Sequence, residues 1–167
     1  KRYDLSRPRP NPYGKVGAGI LFICEEDDTM LLMHRSADVM EPYTWGVPGG
    51  AVVGDGLFFP WHFEVEPYTD EQLWEGAQRE TREECGSLPP GLNESMIEDY
   101  FDFKKGDFVF RDFVVKLTKA QKDAWRIDIE NAEDAWENID WGWFTLDDLP
   151  SPLHPGVHFI FDNLGVS

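Results

Sequence analysis

The chain has 167 residues, 41% of them hydrophobic, with seven Trp and twelve Phe; this is the composition of one globular domain with a sizeable core and excludes a disordered chain. Its longest apolar runs, such as GAGILFIC (17–24), fall well short of the roughly 20 residues that span a bilayer, so no membrane partner is expected. Fifteen Lys and Arg face 32 Asp and Glu for a net charge of −17, which repels a long nucleic acid as a main partner and attracts cations.

Residues 1–14 hold three prolines and read as an extended arm, basic but without the apolar core of a signal peptide. Two cysteines, Cys24 and Cys85, are too few for a disulfide framework, and the expected setting is the reducing cytoplasm. VGAGILFIC (16–24) predicts a buried strand, Asp27-Asp28 a turn, and TMLLMHRS (29–36) the second strand of a hairpin. EPYTWGVPGG (41–50) is loop-like with a short strand around 45–47, and AVV (51–53) starts another. GDGLFFPWHFEVEPY (54–68) follows no regular period and reads as an aromatic loop or insertion. TDEQLWEGAQRETREECG (69–86) predicts a helix. Thr69 caps it with Gln72 closing a capping box, acids fill the first turn, and Gly86 ends it ahead of Pro89-Pro90. EDYFDF (98–103) and DFVFRDFVVKL (107–117) read as strands around a KKGD turn. AWRIDI (124–129) and IDWGWFTL (139–146) read as further strands, and HPGVHFIFDNL (154–164) as a closing helix. Several strands with two helices predict an α/β domain with a mixed sheet.

Within the predicted helix, Leu73, Ala77, Thr81 and Cys85 recur every four residues and form a narrow stripe suited to lie against a sheet. Beside it Glu80, Glu83 and Glu84 crowd one side of about one turn. Like charges at this spacing cost a few tenths of a kcal/mol per pair. A divalent cation, which takes hard oxygen ligands, reverses that sign. On these residues alone a solvated acidic face fits as well as a cation site.

The wider context resembles the Nudix hydrolases. Their box reads glycine, five residues, Glu, seven residues, Arg-Glu, an apolar residue, any residue, Glu-Glu, any residue, Gly, apolar. Glu71, Arg79, Glu80, Glu83, Glu84 and Gly86 match that spacing, with Thr81 and Ser87 at the two apolar places. WGVPGG (45–50) resembles the segment that leads into the box; LLMHRS (31–36) and WGWFTLDDLP (141–150) resemble the flanking strands. The likeness covers about residues 15–165 and implies a single Nudix domain, a mixed sheet sandwiched between helices (α/β/α). One departure stands out. Val65 occupies the place of the box glycine, and the better candidate, Gly50, lies twenty residues before Glu71 instead of five. An insertion at about 54–68 follows from this, carrying Phe58, Phe59, Trp61, His62 and Phe63. It would wall the site, pack on the core or form a homodimer contact.

The resemblance implies a Mg²⁺-dependent enzyme, with Mn²⁺ as an alternative, that cleaves the pyrophosphate of a nucleoside diphosphate linked to another group. The partner it implies is a small-molecule nucleotide. By resemblance Glu80 and Glu84 ligate the metal, with the Gly49 carbonyl as a further ligand. Glu83 is a ligand or the base, Arg79 orients these carboxylates through a bidentate pair, and Glu71 braces the box. Glu137 stands where the family often places a late-loop base, with Glu133 as its rival. Arg35 is a candidate for phosphate contact, or pairs with an acid. Trp45, Trp141 and Phe22 are candidates to stack on a base, with core packing the other reading of each. A rival from another class is a Nudix-fold nucleotide-binding or sensor module without catalysis. Such relatives lose box carboxylates, and this chain keeps them.

Overall fold

A computed structural model describes residues 16–52, 68–106 and 108–166. The expected N-terminal arm and nearly all of the expected insertion, including its five aromatic and histidine residues, lie outside the described residues. In chain order the elements are β1 Val16–Cys24, β2 Thr29–Arg35, β3 Trp45–Gly46, β4 Gly49–Ala51, α1 Asp70–Cys85, β5 Ile97–Lys105, β6 Phe108–Leu117, α2 Lys119–Ala124, β7 Asn138–Phe144 and α3 Pro155–Leu164. The sheet runs β3-β2-β1-β6-β5, with β4 also pairing β1 and β7 also pairing β2. β1 and β6 are parallel from Val16↔Val109 to Cys24↔Leu117. The other pairings between these strands are antiparallel among the described residues, so the sheet is mixed.

The period of two in β1 builds both cores. Val16, Ala18, Ile20 and Phe22 join Leu73, Trp74, Ala77 and Cys85 of α1 on one face. Leu21 joins Met30, Leu32 and Val114 with Val157, Ile160 and Phe161 of α3 on the other. Each face of the sheet thus carries one apolar helix face, the three-layer arrangement that buries all three stripes.

α1 forms where its caps dictate. Thr69 accepts from the Gln72 amide at 3.1 Å, and Gln72 accepts from the Thr69 amide at 2.9 Å. Gly86 ends the helix at φ 82°, a left-handed conformation that disfavours a side chain. The predicted stripe is buried throughout. Thr81 fits this apolar row because its hydroxyl donates to the Ala77 carbonyl at 2.8 Å. Both cysteines are buried and free. Among the described residues no helix is long and apolar enough to cross a membrane.

One predicted strand is replaced. AWRIDI (124–129) forms no strand, because a second capping box, Thr118 with Gln121, starts α2 just ahead of it. The chain then spends its backbone groups elsewhere: the Trp125 amide bonds Gln121, and the Asp128 amide donates to the Cys85 carbonyl at 2.8 Å. Trp125, Ile127 and Ile129 still pack on the α1-side core, which accounts for the strand-like pattern.

Candidate active site

The end of α1 is where strands and loops converge. The main-chain amides of Gly86, Asp134 and Asp128 cap the carbonyls of Arg82, Glu83 and Cys85, each at 2.8 Å. These bonds satisfy groups that a helix end leaves open, and they fasten loop 126–137 to the helix. The Ser36 amide donates to the Glu137 carbonyl at 2.8 Å, which fastens the same loop to the end of β2. Asp134 is thereby brought to Glu80 and Glu83. One carboxylate oxygen from each of the three lies within 4.8 Å of the others. Gly50 borders the group, and a Cβ on it would collide with the Glu80 carboxylate. Glu84 stands behind them, buried at 4% exposure. Its Oε2 accepts from the Gly49 amide and its Oε1 from the Asn138 side-chain amide, both at 2.9 Å.

This grouping is electrostatically costly. Burial first, then Glu83, Glu137 and Asp134, raise the Glu80 carboxyl to about 8. Burial also lifts Glu84 well above the usual carboxylate range, against the pull of its bonds to Asn138 and Gly49. Asp134 is raised by burial and by Glu83 and Glu133. Glu137, half-buried, is raised by burial and by Asp134 and Glu83, while Arg35 pulls it down. The negative end of the α1 dipole adds to the same field. A divalent cation would relieve these terms together, and the donors are the hard oxygens that Mg²⁺ prefers. One carboxylate oxygen from each of Glu80, Glu83 and Asp134 already lies within 4.8 Å of the others. The residues present fit such an ion.

The expected site residues fall into three places. Glu80, Glu83, Glu84, Gly49 and Glu137 are together at the end of α1, and Glu133 is exposed beside them. Arg79 lies 3.8 Å from Glu83, from Nε to Oε1. Arg35 also borders the group. Its Nε and Nη2 donate to the Met40 carbonyl at 2.9 and 2.5 Å, burial lowers its pKa, and Glu84, Glu137 and Glu41 raise it. Trp141 is partly buried on the α1 face, paired across the strands with Met33.

Three residues sit elsewhere. Glu71 is exposed on the first turn of α1, nine residues and about 13 Å along the axis from Glu80. The buried acid of that turn is Asp70, which pairs with Arg111 at 2.8 Å. Trp45 packs on the α3 side, stacked on His34 with ring centroids 4.4 Å apart. Phe22 is corrected outright: at 0% exposure and edge-on to Trp125 at 4.9 Å, it has no face open to a base.

Asp134 and Asn138 are the site residues that sequence reasoning missed. The acidic loop before the last strand was visible, but which of its acids turns inward depends on tertiary hydrogen bonds.

A family model described as NUDIX domain matches residues 14–162. Among solved structures, the chain is similar to a MutT NUDIX hydrolase from Burkholderia pseudomallei, with TM-score 0.59 and 22% identity over 89% of this chain and 95% of that one. It is also similar to the NUDIX domain of Shewanella oneidensis NrtR complexed with ADP ribose, with TM-score 0.56 and 16% identity over 94% and 91%. A third likeness is to the MutT protein from Methanosarcina mazei Go1, with TM-score 0.52 and 21% identity over 95% and 99%. At these identities the likeness is one of fold. No curated protein matches the chain.

Proposed function

The chain belongs to the NUDIX family of pyrophosphohydrolases, and from that premise we propose that it hydrolyses the pyrophosphate bond of a nucleoside diphosphate linked to a further group, with Mg²⁺ or Mn²⁺ as cofactor. The observation that carries this reading is the gathering of Glu80, Glu83 and Asp134 within 4.8 Å, with Glu80 raised to about 8. A group of acids whose surroundings disfavour their charge is suited to a cation, which would stabilise the carboxylates together.

Glu80, Glu83 and Asp134 hold the ion in this reading. Glu84 is a further ligand through the lone pairs that its two donors leave free, with the Gly49 amide backing it. When bound, the ion supplies neutralisation of phosphate charge and a water of lowered pKa. Water oxygen attacks a phosphorus, the bond to the bridging oxygen breaks, and the leaving phosphate carries away that electron pair. Glu137 takes the proton of the attacking water. Its raised pKa brings it nearer to neutral pH, where a general base works best. Glu83 is less suited to that task because it belongs to the ligand group and meets Arg79. In this reading Arg35 meets a substrate phosphate, and Trp141, partly buried on the α1 side, offers its ring to the nucleobase. Nothing in this arrangement gives Glu71 a chemical role.

Product release from a panel of nucleoside triphosphates, dinucleoside polyphosphates and ADP ribose, with and without Mg²⁺ or Mn²⁺, tests the reading. Metal-dependent turnover that disappears in Glu80→Gln is the expected result. Nucleotide binding without turnover on any compound overturns it in favour of a binding module.

A further inference from the structure

β7 does not hold its alternation to its start. From Met30↔Phe144 to His34↔Asp140 the pairing with β2 is regular, but the next partners are Arg35 and Asn138. Ile139 is therefore an extra residue, and it stands 54% exposed. Trp143 and Trp141 pack on the α1 face, so strict alternation would place Ile139 on that face and turn Asn138 away. The bulge reverses this, throwing Ile139 out and aiming Asn138 at α1. A bulge next to a site re-aims a side chain in just this way.

Asn138 is buried at 6% exposure, and its amide nitrogen lies 2.9 Å from Glu84 Oε1. An acceptor at that position assigns the NH₂ group to face it, since the amide oxygen would repel a carboxylate. The Gly49 amide holds the other oxygen. Glu84 is thus held at one oxygen by β4 and at the other by β7. We propose that Asn138 is a positioning residue for the cation site, acting through Glu84 without touching substrate. This inference rests on the cation-dependent reading above. Partners of this kind behind a metal ligand shift metal affinity or activity by about 10–100-fold when lost.

The test uses Asn138→Ala and the isosteric Asn138→Asp, each checked for folding by circular dichroism. Mn²⁺ affinity is read from the electron paramagnetic resonance of free Mn²⁺, and kcat and KM from the best substrate of the panel. Folded variants should lose Mn²⁺ affinity about 10–100-fold, with kcat falling and KM for nucleotide unchanged. Wild-type Mn²⁺ affinity in either folded variant overturns the proposal, as does a rise in KM with kcat held. If neither variant folds with Mg²⁺ present, Asn138 is a folding residue and the proposal also fails. A wild-type protein that hydrolyses nothing yet binds Mn²⁺ sinks the enzyme reading alone, because the Mn²⁺ measurement still decides the role of Asn138.

Discussion

Asp70 at the start of α1 and Glu80 near its end are both acids drawn in from water, and the chain treats them differently. Asp70 meets Arg111, which is fully buried, holds both oxygens of Asp102 at 2.7 and 2.8 Å and lies 3.7 Å over the Tyr100 ring. There the countercharge is part of the fold. Around Glu80 the neighbours that act on its carboxyl are Glu83, Glu137 and Asp134, with Arg79 3.8 Å from Glu83 and Arg35 held on the Met40 carbonyl. One helix therefore carries an ionic group built around a buried Arg and an acidic cluster whose charge its surroundings disfavour.

The sharpest way to break the first group is Arg111→Ala, which removes the cation that Asp70 and Asp102 share. It should cost about 3–5 kcal/mol in urea unfolding, with no rescue by Mg²⁺. A loss below about 1 kcal/mol would mean the group is not the structural unit described. The counterpart in the second group is Glu80→Gln. It should lower kcat/KM by about 10²–10³-fold, on the scale of removing one electrostatic group from an active site. Its metal-free stability at pH 8 should hold or rise. An unchanged rate would detach Glu80 from the chemistry.

Proton linkage separates the groups next. Glu80 is raised from its ordinary 4.5 to about 8, and Glu84, Glu137 and Asp134 are raised too. Between pH 4.5 and 8 these four acids bind more protons in the folded chain than in the unfolded one, which lowers stability as pH rises and outweighs the opposite pull of His154, lowered by burial from 6.5 to about 4. Metal-free protein should melt several degrees lower at pH 8 than at pH 5, and Mg²⁺ should restore the difference mainly at pH 8. A flat profile would show that the acids are not under mutual strain. The smallest effect is expected at Glu71, which neither group uses. Glu71→Gln should stay within about 0.5 kcal/mol in stability, with turnover little changed.

The legibility of these features follows their range. The limits of α1 could be read because Thr69, Gln72 and Gly86 act within a few residues of the ends they set. α2 carried the same Thr-x-x-Gln signature at Thr118 and Gln121, and it was masked by the buried Trp125, Ile127 and Ile129 that follow. Glu80 and Glu83 were visible as a crowded turn. Asp134 was not, since its approach depends on an amide bond to Glu83 across the fold. Asn138 needed a strand irregularity that no local pattern announces.

The fastening of loop 126–137 to the end of α1 has a kinetic side. The amides of Asp128 and Asp134 bond the carbonyls of Cys85 and Glu83 across the fold, and such bonds open when the loop alone lifts away. Their hydrogen exchange therefore reports whether the cation cradle is assembled, independently of whether the rest of the sheet is intact. Exchange at Asp134 should slow when Mg²⁺ is added while the amides of β1 stay as they were. The ion would then lock the loop onto the end of α1.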